Sequence, residues 1–185
     1  MGKPLPLITL NELCGLCKYM GMSKGGFVEI GTRFGGTSRL MAETFPERNI
    51  LTVDIKKQYD ETTFADLDNL AFVEADSGLG PPEWMWPIGT LFIDGRHRPD
   101  AVHKDITLWS PHVEVGGFVI LHDAITQAGI MVSIGNVKLM HKDESGQYTS
   151  GYPELGETAK RLLLSDGGWS MVECVGSCMV FQKGA

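Results

Sequence analysis

The chain has 185 residues, 43% of them hydrophobic and 21% charged, with a formal net charge of −7. That length suits a single domain with a sizeable core and is short for two, so one domain over residues 1–185 is expected. The acidic balance argues against a nucleic-acid partner, which requires clustered Lys and Arg, and no apolar run is long enough for a membrane span. With no secretory h-region at the N-terminus, the expected location is cytoplasmic, and self-association is left open.

Residues 1–8, with Pro4 and Pro6, read as an extended arm. Thr9 or Asn11 opens a helix to about Met22, with Leu10, Leu13, Cys14, Cys17 and Met20 as its inner stripe. Phe27–Ile30 is a short apolar run carrying one acid, Glu29, and reads as a buried parallel strand that stops at Gly31. A second helix begins at Ser38, with Thr37 or Ser38 as its cap, and ends at Phe45-Pro46. Residues 50–54 form a second strand finishing on Asp54, residues 60–69 a polar helix, and residues 70–73 a third strand followed by Asp76 and Ser77. The segment 78–87, with three prolines and with Trp84 and Trp86, is a loop whose tryptophans pack on the sheet edge.

A fourth strand, Ile88–Ile93, ends at Asp94, and a helix over Arg98–Trp109 turns Ala101, Val102, Ile106 and Trp109 inward. Gly116-Gly117 precedes a fifth strand, Phe118–Leu121, which ends at His122-Asp123. Residues 124–133 read as helical, 134–153 as a long loop, and 155–164 as a helix. Residues 169–175 and 177–181 read as strands that meet at Gly176. Strands alternating with helices give an α/β, Rossmann-like fold with a mostly parallel seven-stranded sheet, an antiparallel edge hairpin and helices on both faces. The cysteines, Cys14-x-x-Cys17 and Cys174-x-x-x-Cys178, read as reduced core thiols rather than a zinc site.

Between the first strand and its helix, Gly31, Gly35 and Gly36 let the backbone approach a ligand, and the helix N-terminus attracts an anionic group. Dinucleotide binding would place a glycine at Arg33, so that fingerprint fits poorly. Asp54, Asp76, Asp94 and Asp123 follow four strands at the carboxyl edge, where ligands of open parallel sheets bind. At the end of the second strand the Asp54 carboxylate can accept both ribose hydroxyls of an adenosine cofactor, and His97, three residues after Asp94, carries an imidazole, a side chain suited to a general base.

Glu29-x-Gly31-x-x-x-Gly35 resembles the first motif of class I S-adenosylmethionine-dependent methyltransferases. The stretch LFIDGRHRPDAVHKDITLWSPHVEVGGFVILHDA resembles the core of a bacterial O-methyltransferase group of the catechol methyltransferase type, and the likeness covers about residues 25–125. The resemblance implies a class I methyltransferase fold with S-adenosyl-L-methionine held by Glu29, Gly31, Thr32, Gly35, Ser38, Asp54, Asp76 and Ser77. It implies Mg²⁺ or another divalent cation on Asp94 and Asp123, and transfer to a hydroxyl group of a small molecule, with His97 and Asp94 as catalytic residues. Relatives carry a second oxygen ligand where this chain has Ala124. His122 is the candidate substitute, with water or substrate as the alternative, and if it binds, Mn²⁺ or another transition ion suits the site better. Two rival readings are a NAD-dependent oxidoreductase, sharing Asp54, and a non-catalytic S-adenosylmethionine-binding domain.

Overall fold

The computed structural model describes residues 3–83, 86–125, 127–128, 141–142, 148–165 and 167–185. The first half runs α1 (Leu10–Met22), β1 (Gly26–Ile30), α2 (Gly36–Thr44), β2 (Ile50–Asp54), β3 (Leu70–Glu74), β4 (Ile88–Ile93) and α3 (Pro99–Trp109). Then come β5 (Val113–Leu121), three short strands β6 (Gln127–Ala128), β7 (His141–Lys142) and β8 (Tyr148–Ser150), α4 (Pro153–Leu163), β9 (Trp169–Val175) and β10 (Cys178–Lys183). The main sheet has seven strands in the order β3-β2-β1-β4-β5-β10-β9, and β6–β8 form a separate three-stranded sheet. The first five strands pair in parallel, while β10 runs antiparallel to both β5 and β9. This is the expected mostly parallel sheet with an edge hairpin.

Strand pleating sorts the core into two layers, because successive side chains point to opposite faces. Phe27, Ile50, Phe92, Phe118, Ile120 and Val180 meet Leu16, Tyr19, Met20 and Met41 of α1 and α2. Their neighbours Val28, Ile30, Leu51, Leu91, Ile93 and Leu121 meet Val102, Ile106 and Trp109 of α3 and Leu155, Ala159 and Leu163 of α4. The strands are apolar on both faces because both are covered. Chain direction diverges on either side of β1 and β4, so the carboxyl ends of these two neighbours form the switch point where an open sheet binds ligands.

Several expectations change. α1 starts after Thr9 as expected, in a capping box with Glu12, but its buried face is Glu12, Gly15, Leu16, Tyr19 and Met20. Leu10 and Cys14 are exposed instead, because Gly15 admits Val175 of β9 and Glu12 is drawn inward by Ser177. Of the cysteines only Cys178 is fully buried; Cys14 and Cys174 are exposed. α2 begins at Gly36 with Gly35 as its cap, so Thr37 and Ser38 lie inside the helix rather than capping it. The expected helix over 60–69 shrinks to one 3-10 turn, Glu61–Thr63. There Asp60 takes the Thr62 amide and hydroxyl, and buried Arg39 of α2 pins Asp66, which together hold the segment in turns.

β5 starts earlier, at Val113, and passes through a bulge where Gly116 has φ 80°. Residues 127–128 form a strand rather than part of a helix; most of the expected loop over 134–153 lies outside the described residues, as does Trp84. Trp86, partly buried, packs against the core beside Gly26 at the amino end of β1. No helix among the described residues is long and apolar enough to cross a membrane.

Candidate active site at the carboxyl edge

The glycine turn after β1 is shaped by close neighbours. Gly31 has φ 102°, and a Cβ there would lie 2.3 Å from the carbonyl oxygen of Asp94, so the approach of β1 to β4 requires glycine. Arg33 also sits in the left-handed region, with φ 47°, and donates its amide to Asp54 Oδ2 at 2.8 Å. Gly35, φ 79°, lies against the Phe64 ring, and Gly36 against the backbone of Leu5 in the N-terminal arm. No side chain of the cap residue bonds the first turn of α2, whose amides therefore suit an anionic group.

The expected cofactor residues divide into those that face the edge and those that brace it. Asp54 stands at the end of β2, its oxygens accepting the amides of Arg33 and, at 3.2 Å, Lys56. Asp76 is exposed at the end of β3 and accepts from Gly78 N at 2.9 Å. Glu29, by contrast, is buried on the α1/α2 face of β1, where it accepts from Ser38 Oγ and, at 2.8 Å, from Thr52 Oγ1. Burial, with smaller contributions from Asp94 and Asp54, pushes its carboxyl up to about 8. The Thr32 hydroxyl is 2.7 Å from Thr52 Oγ1, and the Ser77 hydroxyl donates to Asp105 Oδ1 at 2.7 Å. The side chains of Thr32, Ser38 and Ser77 thus hold the turns, leaving backbone to face a ligand.

The ends of β4 and β5 bring four titratable side chains together. Asp94 Oδ1 lies 2.9 Å from His122 Nδ1 and 3.4 Å from His97 Nε2, and Asp123 Oδ2 is 3.7 Å from each of those nitrogens. Burial raises the Asp94 carboxyl, but His122 and His97 outweigh it and hold its pKa below the ordinary value. Burial likewise disfavours a charged His122, yet Asp94, Glu12 and Asp123 raise the ring well above its usual value. The buried Nδ1 of His122 is close enough to Asp94 for an ion pair but is not aligned for a hydrogen bond, and it has none. Asp123 adopts φ 51°, with its amide on Ser177 Oγ and its carbonyl on the Tyr152 amide; the Tyr152 ring lies 5.0 Å from that of His97. Ala124 is wholly buried.

Asp94, His97 and His122 each offer a ligand atom within 4.8 Å of one another, whereas Asp123, expected among the ligands, stands beside this group with its Oδ2 3.7 Å from both imidazoles. An unbonded imidazole nitrogen among carboxylates suits a divalent cation, so the residues present fit the implied metal. Two buried acids beside the site escape sequence reasoning. Glu12, which the sequence reading passes over, lies 3.6 Å from His122 Nε2. Asp105 sits in the buried stripe of α3 beneath the Ser77 turn, its carboxyl raised to about 6 by burial. Its signal was an acid between Val102 and Ile106 on an otherwise apolar face.

Residues 28–124 match the profile of a methyltransferase domain. Among solved structures, a Staphylococcus aureus protein provisionally assigned as a caffeoyl-CoA O-methyltransferase superposes with a TM-score of 0.70 at 16% identity, over 98% of this chain and 86% of that one. The O-methyltransferase NovP gives 0.69 at 14% identity, over 97% and 82%. MycE, a methyltransferase of mycinamycin biosynthesis solved with Mg and SAH, gives 0.60 at 16% identity, over 99% of this chain and 56% of its own. At such identities these likenesses carry the fold.

Proposed function

The chain belongs to the methyltransferase-domain family of S-adenosylmethionine-dependent enzymes, and from that premise we propose that it methylates a hydroxyl oxygen of a small molecule with help from a divalent cation. The observation that supports this reading is the convergence of Asp94, His97, His122 and Asp123 beside the Gly31 turn. NovP, an O-methyltransferase, and MycE, solved with Mg and SAH, share the fold and lend it weight.

Bound S-adenosylmethionine supplies an electrophilic methyl group on a sulfonium, and a divalent cation favours the deprotonated form of an oxygen acceptor. Asp54 would hold the ribose, Asp76 would contact the adenine amino group, and the α2 amides with the Gly31–Gly35 backbone would hold the amino-acid end. Glu29 and Ser38 set the height of that turn from beneath. Asp94, Asp123 and His122 Nδ1 would hold the cation. His97, with 31% of its side chain exposed against 11% for His122, stays on the open side as base. It takes the hydroxyl proton at Nε2, where the carboxylates of Asp94 and Asp123 stabilise the resulting imidazolium. Positioning does the remaining work, because methyl transfer is an in-line displacement.

Calorimetric titration with S-adenosylhomocysteine and with NAD, followed by incubation of labelled S-adenosylmethionine with phenolic and sugar hydroxyl compounds, tests the reading. Expected are S-adenosylhomocysteine binding, no NAD binding, and an O-methyl product that His97→Ala loses while still binding S-adenosylhomocysteine. Methyl transfer only to nitrogen, or undiminished O-methylation by His97→Ala, would refute it.

A further inference from the structure

We propose that Glu12, on the N-terminal helix, positions His122 as a nitrogen ligand, and that the cluster at Asp94 therefore prefers a borderline divalent ion such as Co²⁺ or Zn²⁺ over Mg²⁺. The inference rests on the reading that this cluster holds a cation, and not on methyl transfer.

Glu12 cannot swing. Its Oε2 accepts from the amide and hydroxyl of Thr9 at 2.7 and 2.8 Å, and its Oε1 from the amide and hydroxyl of Ser177 at 2.8 and 2.7 Å. The four donors come from the α1 cap and the β9–β10 turn, two segments far apart in sequence, and the carboxylate between them is 3% exposed. Its Oε2 stands 3.6 Å from His122 Nε2, so the fixed negative charge favours the tautomer with the proton on Nε2. When a cation takes the place of the Nδ1 proton, the Nδ1 lone pair faces the cluster 2.9 Å from Asp94 Oδ1, off the line of a hydrogen bond to it. A lone pair and a carboxylate at that distance repel unless a positive charge lies between them.

The residue after Asp123 offers nothing to such a charge. Ala124 is buried, with its amide on the Ser177 carbonyl at 2.9 Å. Ser177 thereby fixes both Glu12 and the backbone that carries Asp123. A third donor must come from the other side, and His122 Nδ1 is there. Mg²⁺ takes oxygen ligands and is reluctant to shed water, whereas an imidazole donor favours ions later in the first-row series. A carboxylate behind the ring strengthens that donor, as histidine ligands generally require.

The test needs no methyl acceptor. Metal-stripped protein is titrated by calorimetry with Co²⁺, Zn²⁺ and Mg²⁺, and the Co²⁺ form is recorded by visible absorption and ¹H NMR. Expected are Co²⁺ and Zn²⁺ affinities at least about tenfold above that for Mg²⁺, with d–d bands and a hyperfine-shifted, solvent-exchangeable imidazole N–H. Glu12→Gln should weaken Co²⁺ binding by about 10–100-fold and speed exchange of that N–H, while S-adenosylhomocysteine binding and circular dichroism stay unchanged. His122→Asn should remove the N–H signal, and His97→Ala should keep it. Equal affinity for Mg²⁺ and Co²⁺, or a Co²⁺ protein without the N–H signal, overturns the proposal. In that case the positive charge between the carboxylates is the imidazolium itself. If Glu12→Gln does not fold, His122→Asn decides: Co²⁺ binding as tight as in the parent overturns it. A protein that transfers no methyl group to oxygen leaves all these readouts intact, so the two readings fail separately.

Discussion

At the scale of single residues, the same side-chain type does opposite work according to its surroundings. Glu29 and Glu12 are both buried acids; Glu29 has two hydroxyl donors and its carboxyl is pushed up to about 8, whereas Glu12, with Ser177 and His122 beside it, is held below its ordinary value despite its burial. The raised carboxyl has a definite consequence for stability. A group whose folded pKa exceeds its unfolded value of 4.5 contributes fully below 4.5 and loses that contribution as pH rises toward about 8. The stability difference between the parent and Glu29→Gln, measured by urea unfolding, should therefore shift against the parent between those limits and level off above; a flat difference would show Glu29 ionised throughout. Asp54→Ala should weaken S-adenosylhomocysteine binding by more than about tenfold, since a charge-assisted bidentate contact is lost. Asp94→Asn or Asp123→Asn should abolish metal-dependent transfer with cofactor binding nearly intact, measured by calorimetry alongside a labelled-methyl assay.

At the scale of elements, the glycine turn is held from two sides of unequal stiffness. Gly31 abuts Asp94 backbone inside the sheet, while Gly36 abuts Leu5 of the N-terminal arm. An alanine at 31 must also adopt φ 102°, so Gly31→Ala should cost about 2 kcal/mol or more in chemical denaturation. Gly36→Ala should cost less, because the arm can shift, and removing residues 1–6 should erase its penalty. An equal cost for both would mean that the arm is as firmly held as the sheet. α1 illustrates the same point: its face is chosen by Gly15 and Glu12, which make contacts to β9 and the turn after it, rather than by its most apolar residues.

At the scale of the molecule, the acids and histidines of the site come from strands spread along the sequence, from Glu29 to Asp123, and are gathered by the parallel sheet at one edge. Glu12 adds a link from α1 to the closing hairpin, so both ends of the chain bear on His122. A ligand that binds only the folded state stabilises it by about 2.7 kcal/mol at 100 times its Kd. S-adenosylhomocysteine at that excess should raise the Tm by roughly 5–10 °C for a chain of this length, and NAD should leave it unchanged. A shift with NAD alone would restore the oxidoreductase reading.

Local sequence was sufficient for β1 to β4. Ile50–Asp54 and Ile88–Ile93 stand where their apolar runs end in acids, since a strand covered on both faces reads as an uninterrupted apolar segment. The position of Asp54, Asp94 and Asp123 at one edge followed from parallel topology alone, and so did the glycine turn. What the tertiary structure decided was direction. Burial of Glu29, Ser38 and Thr32 follows from the pleat and from α2 packing over it, so three polar residues of the motif brace the turn from within. The meeting of His122 with Asp94, and of Glu12 with His122, depends on strand neighbours and on a turn at Ser177 far along the chain. Periodicity within one segment carries no information about such partners; they are fixed only when the sheet order brings distant segments side by side.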